Sequence, residues 1–193
     1  MFGRPTASWP VSMNLTNLNL PDGISVLGSE DFQQFGKSVA GGAVDVNHDG
    51  IHDAIIGAPQ GSPLGRTAAG KTFVLFGKKN WTSGIINTSN SDWFDGAMNG
   101  FVLFGEVSGS HSGCSVNGLG DVNHDGIQDF IIGADNWDKN SSIIWVGRSY
   151  VLFGRDYGQR LWNFRHLMET MDSLSMAQLQ TITMDSVFRV QEM

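Results

Sequence analysis

One cysteine, Cys114, stands in 193 residues, so no internal disulfide can form. A secreted protein of this kind needs another way to stiffen its loops. Charge is scarce at 16% of residues and leans acidic, with 12 Lys and Arg against 19 Asp and Glu for a net charge of -7. Nucleic acid and anionic membrane are poor partners for such a surface. Glutamate is rarer still, since 15 of the 19 acids are Asp, a residue that disfavours helix and favours turns and hard-metal sites. No run of 18 apolar residues occurs, and the longest, such as Phe73 to Gly77 and Phe130 to Ala134, are strand-sized; no direct membrane insertion is expected. The opening residues Met1-Phe2-Gly3-Arg4-Pro5 lack the charged start and apolar stretch of a signal peptide, so a secretion signal is expected outside this stretch. What abounds is apolar residues, 40%, and glycine, 25 in number. That balance excludes disorder, and glycines without a period of three exclude collagen. The length suits one or two ordinary domains.

Self-similarity decides the organisation. Residues 45–58 read DVNHDGIHDAIIGA and residues 121–134 read DVNHDGIQDFIIGA, 12 of 14 positions agreeing at an offset of 76. Gly23 to Gly28 matches Gly100 to Gly105, and Val74-Leu75-Phe76-Gly77 matches Val151-Leu152-Phe153-Gly154, at an offset of 77. Each unit holds four apolar runs: Ile24 to Leu27, Ser38 to Val44, Ala54 to Gly57 and Lys71 to Phe76 in the first; Phe101 to Phe104, Cys114 to Leu119, Phe130 to Gly133 and Ser149 to Phe153 in the second. These are short, β-branched or aromatic, and bounded by Gly, Asn, Asp or Ser, the pattern of strands. Their apolar character on both faces suits a sheet held between neighbouring sheets, as in a propeller.

The expected fold is all-β, a partial β-propeller of two four-stranded antiparallel blades with partial blades at each end. Residues 22–77 and 99–154 form the blades and 1–5 the last strand of a preceding one. Residues 155–187 form a connector, and 188–193 open a further blade. Within the connector Leu161, Phe164, Leu167, Met168, Met171 and Leu174 fall at helical spacing, which reads as a helical turn packing on the propeller rather than a partner-binding helix.

The repeated segment carries the chemistry. Asp45-Val46-Asn47-His48-Asp49-Gly50-Ile51-His52-Asp53 and Asp121-Val122-Asn123-His124-Asp125-Gly126-Ile127-Gln128-Asp129 share the form D-x-N-x-D-G-x-x-D. Positions 1, 3 and 5 offer side-chain oxygens, position 6 allows a sharp turn, position 7 offers its carbonyl and position 9 a closing carboxylate, about six hard donors in a flexible cage that suits Ca2+ over Mg2+. Three carboxylates crowded around an empty centre repel, and a divalent cation reverses that sign. An EF-hand needs Glu at position 12, where Ile56 and Ile132 stand, so each loop is expected to join two strands.

Phe35-Gly36 and Gly57-Ala58-Pro59 around such a loop resemble the FG-GAP repeat, with Ser112-Gly113 and Gly133-Ala134-Asp135 departing from it in the second unit. The resemblance implies the propeller of integrin α subunits, with two calcium sites: Asp45, Asn47, Asp49, the Ile51 carbonyl and Asp53; and Asp121, Asn123, Asp125, the Ile127 carbonyl and Asp129. It implies a non-enzymatic, extracellular or cell-surface segment acting in adhesion or ligand binding. Its partners would be a protein or glycan and the remaining blades. The alternatives are an accessory propeller of a larger enzyme resembling glycosylphosphatidylinositol-specific phospholipase D, or a structural spacer.

Other residues have plainer readings. His48 and His124 occupy the variable fourth position and point away from any metal. Cys114 reads as a small strand filler, and Trp81, Trp93, Trp137 and Trp145 fall in loops, where blade-capping competes with partner binding. Four N-x-S/T sequons, at Asn14, Asn80, Asn87 and Asn140, are glycosylation candidates if the protein is secreted by a eukaryote. No catalytic constellation and no phosphate-binding glycine loop is visible.

Overall fold

The computed structural model describes residues 12–94, 96, 98–138 and 145–156. The expected strand at 1–5, the connector beyond Asp156, residues 188–193 and the sequon at Asn140 lie outside these residues. Among the described residues there are nine strands, three short 3-10 turns and no α-helix.

Two antiparallel sheets form the body. Sheet one has the order β2 (Ser38–Ala40), β3 (Ala54–Ala58), β4 (Lys71–Leu75) and β6 (Gly100–Phe104). Sheet two has β7 (Ser115–Gly120), β8 (Asp129–Ala134) and β9 (Arg148–Leu152). A separate parallel ribbon pairs β1 (Ser25–Leu27) with β5 (Ile85–Asn87).

Strand alternation sends Ile55, Val74, Phe101 and Leu103 of sheet one against Phe130, Ile132 and Leu152 of sheet two, with Val44, Val46 and Phe76 filling the same cluster. Phe130, 2% exposed, and Ile132, 1% exposed, each contribute about 1.5–3 kcal/mol by leaving water. The opposite face of sheet one, Ile56, Ala58 and Phe73, is covered by Val26, Phe35, Phe94 and Val102. There Phe73 meets Phe35 and Phe94 edge-on at 5.3 and 5.1 Å between ring centres. Sheet one is therefore buried on both sides, which accounts for its unbroken apolar runs.

The strand grouping differs from the expected one. Ile24 to Leu27 does not lead sheet one; Gly100–Phe104 supplies its fourth strand, with Phe73 opposite Val102 and Val74 opposite Phe101. Sheet two accordingly has three described strands rather than four. The cause is packing: Phe101 and Leu103 join the inter-sheet core beside Val74 while Val102 joins the other face beside Phe73. Gly100 permits the approach, since a side chain there would overlap the Val74 carbonyl. The strand expected over Ser38 to Val44 ends at Ala40, where Gly42 turns the chain with φ of 89°.

The repeated glycine pairs have one shared job. Gly36 and Gly113, with φ of 82° and 86°, donate their N–H groups to the carbonyls of Gly57 and Gly133 at 3.0 and 2.9 Å. Each links the loop before a unit's first sheet strand to its second strand. This loop geometry leaves Gly113 against Gly57, whose missing Cβ makes room for the Gly113 carbonyl, which also accepts from Ser38 Oγ at 2.8 Å.

Candidate metal centre

Each Asp-rich segment connects adjacent antiparallel strands, β2 to β3 and β7 to β8. Both fold by local hydrogen bonding of short polar side chains, the behaviour that makes Asp and Asn turn formers. Asp45 accepts from the N–H groups of Asp49 at 3.1 Å and Gly50 at 2.9 Å. Asn47 Oδ1 accepts from Asp49 N–H at 3.2 Å and its amide donates to Asp49 at 3.0 Å, while Asp49 accepts from Ile51 N–H at 2.8 Å. The second loop repeats every bond: Asp121 accepts from Asp125 and Gly126 at 3.1 and 2.8 Å, Asn123 from Asp125 at 3.2 Å, and Asp125 from Ile127 at 2.9 Å. His48 and Gly50, like His124 and Gly126, take left-handed backbone with φ between 56° and 89°. Both histidine side chains are exposed.

The ninth position is built differently from the first and fifth. Asp53 and Asp129 are 3% and 0% exposed. Asp53 accepts from Val46 N–H at 2.9 Å within its own loop and from Gly77 N–H at 2.9 Å beyond β4. Asp129 accepts likewise from Val122 at 2.8 Å and from Gly154 at 2.9 Å beyond β9. One carboxylate thus pins the loop's start to the end of the third strand of the unit. Burial pushes the Asp53 carboxyl up to about 7, against the pull of the Gly77 and Val46 N–H groups, and the nearby charges of Asp45 and Asp49 add to the rise.

Gly77 and Gly154 are site residues that motif reading missed. A side chain at either would overlap the carbonyl of His52 or Gln128, so only glycine brings its N–H to the buried carboxylate. Their signal was the Val-Leu-Phe-Gly repeat, which carries no chemistry on its face.

The donor set is that of a hard divalent cation: three carboxylates, one amide oxygen and one backbone carbonyl for each loop, with neither nitrogen nor sulfur. Its side chains are turned onto backbone N–H groups, those of positions 1, 3 and 5 within the loop and that of position 9 also beyond it, onto Gly77 or Gly154. Among the described residues no three His, Cys, Asp or Glu groups gather as a metal-holding cluster. The loop is closed and shaped, and the carboxylates of Asp45, Asp49, Asp121 and Asp125 remain at its accessible surface.

A family model described as FG-GAP repeat matches residues 35–75 and 115–152. The chain carries two FG-GAP repeats. Each repeat centres on one Asp-rich loop and spans the three strands around it, β2 to β4 and β7 to β9. The phosphatidylinositol-glycan-specific phospholipase D of Bos taurus is 30% identical over 117 residues, which cover 61% of this chain and 13% of that protein. The chain therefore spans a small part of that relative's length.

Outside the loops, Cys114 is partly buried, its thiol donating to the Gly133 carbonyl at 3.4 Å and pushed up by burial. Trp81 and Trp93 stack on one another at 6.1 Å between ring centres. Glu106 gathers Trp137 Nε1–H at 3.2 Å, the Arg148 guanidinium at 2.7 Å and the Tyr150 hydroxyl at 3.0 Å on one oxygen. Arg148 also lies 3.6 Å over the Trp137 ring. In the first repeat Lys71, which corresponds to Arg148, pairs with Glu30, so each repeat ties its third strand to the loop before its first.

Proposed function

We propose that this chain is a calcium-braced segment of an FG-GAP β-propeller in a secreted or cell-surface protein, serving adhesion or ligand binding. One observation carries the reading. The row Ala40, Ile55, Val74 and Phe101 of sheet one is packed against sheet two. Its counterpart one repeat later, Asn117, Ile131 and Val151, faces outward, with Val151 48% exposed. The same surface is covered in one repeat and open in the next, which is how a stack of repeats looks where it is cut. At ~76 residues per unit a ring of four to eight blades needs roughly 300 to 600 residues, so this chain contributes part of one.

Calcium would be held by Asp45, Asn47, Asp49, the Ile51 carbonyl and Asp53, and by Asp121, Asn123, Asp125, the Ile127 carbonyl and Asp129. Its role is electrostatic, neutralising three carboxylates at the turn of each repeat. With a dissociation constant of about 10⁻⁴ to 10⁻³ M and calcium near ~1 mM, each site stabilises the fold by roughly 0.4–1.4 kcal/mol. Melting in calcium against EDTA tests it: calcium raises the Tm of the wild type and leaves the Asp45→Ala, Asp121→Ala double variant unchanged. An equal response of the two proteins would contradict the reading.

A second reading has its own support in the similarity to phosphatidylinositol-glycan-specific phospholipase D: the segment is an accessory module beside a catalytic domain. Release of a glycosylphosphatidylinositol-anchored protein from membranes by the full-length protein would favour it, and no release would favour adhesion.

A further inference from the structure

We propose that Asn87 and Asn14 carry N-linked glycans, and that the Asn87 glycan shields the open edge of the β1–β5 ribbon; the proposal rests on the reading of a secreted protein. The sequons Asn14-Leu15-Thr16 and Asn87-Thr88-Ser89 both have exposed asparagines. Asn87 Oδ1 accepts from Ser89 N–H at 2.9 Å and from the Ser89 hydroxyl at 2.8 Å. Asn14 Oδ1 accepts from Thr16 N–H at 3.0 Å. In both the amide oxygen is turned inward onto residue +2, leaving the amide nitrogen facing solvent, where an oligosaccharide can be accommodated without disturbing the fold. Among the described residues Asn80, whose neighbour Trp81 is stacked on Trp93, makes no such turn.

Transfer forms a bond between the asparagine Nδ2 and the anomeric carbon of an oligosaccharide carried on a lipid pyrophosphate. The anomeric C–O bond breaks, the lipid pyrophosphate leaves with its electron pair, and one amide proton passes to solvent.

The placement has a physical use. Among the described residues β5 pairs with β1 alone and so keeps a free edge, which invites pairing with another chain. Ile86 is fully buried while Ile85 is 59% and Leu27 46% exposed. Strand alternation puts Asn87 on the same side as Ile85, and the register sets it opposite Leu27. A hydrated glycan rooted there covers two apolar side chains beside an unpaired edge.

The test is cell-free translation of residues 1–193 behind a cleavable signal in the presence of endoplasmic-reticulum microsomes, scoring only protease-protected chains. Peptide-N-glycosidase in heavy-oxygen water followed by mass spectrometry should label Asn14 and Asn87. Asn87→Gln and Ser89→Ala should each remove one mobility step, the latter without touching the asparagine, and Asn14→Gln another. Enzymatic deglycosylation should increase aggregation of wild type and leave Asn87→Gln unaffected. Protected chains with unlabelled Asn14 and Asn87 overturn the proposal. If calcium still raises the Tm of such chains, the propeller reading stands and only this inference falls.

Discussion

Substituting Asp129 by Asn separates the structural role of the ninth loop position from any metal it holds. The carboxylate is fully buried and accepts one N–H on each oxygen, from Val122 at 2.8 Å and Gly154 at 2.9 Å. Asparagine has a single oxygen, so one of these donors loses its acceptor and faces an amide NH2 instead. A hydrogen bond to a charged group is worth about 1.5–3 kcal/mol, and a buried donor left unpaired costs about 1–3 kcal/mol more. Relief from burying a charge offsets part of the sum, leaving a net loss of about 2–4 kcal/mol. For a chain of this size that lowers Tm by on the order of 10 °C. The control is Asp121→Asn, whose carboxylate sits at the accessible surface and serves its own loop alone, and which should cost about 1 kcal/mol or less. Thermal and urea melts in EDTA at pH 7.5 remove the metal from the comparison. Equal losses for the two variants, or a Tm for Asp129→Asn within about 2 °C of wild type, would refute the claim that this carboxylate pins loop to strand.

Two further outcomes follow from named groups. Asp53 is held up to about 7 against an ordinary value of 3.8, so the folded state binds its proton more tightly than the unfolded chain. Its stabilising contribution is complete below about pH 4 and is lost as pH rises through about 7, a change on the order of 4 kcal/mol. Stability in EDTA should therefore fall between pH 5 and 8, and Asp53→Asn should flatten that slope; the same slope in both proteins would count against it. The open row on sheet two should make the isolated chain self-associate, and Val151→Lys should reduce that association in sedimentation velocity while shifting Tm little; a monomeric wild type would contradict it.

Much of this arrangement was readable because it is written twice. The 76-residue offset located both Asp-rich loops, and the alternation of Ile55 with Ile56 and of Phe73 with Val74 marked strands apolar on both faces. The strand phase was hidden. Phe101 to Phe104 opens the second unit in sequence but closes the first sheet in space, and its apolar pattern is equally compatible with either neighbour. The β1–β5 ribbon was illegible for a related reason: Ile85–Asn87 is three residues long, lies among Gly, Ser and Asn, and owes its pairing to a partner sixty residues away. Within the loops the three aspartates look alike as letters. Burial separates them, and that burial depends on Gly77 and Gly154, 24 and 25 residues beyond the carboxylates they meet.

Direct calcium titration of the metal-free chain bears most closely on the proposed role of the two loops. The proposed ligand sets require two ions bound per wild-type chain, one after Asp121→Ala, and none after Asp45→Ala with Asp121→Ala, with dissociation constants of about 10⁻⁴ to 10⁻³ M. Absence of saturable binding up to ~10 mM calcium, a concentration well above that range, or two ions still bound by the double variant, would contradict it.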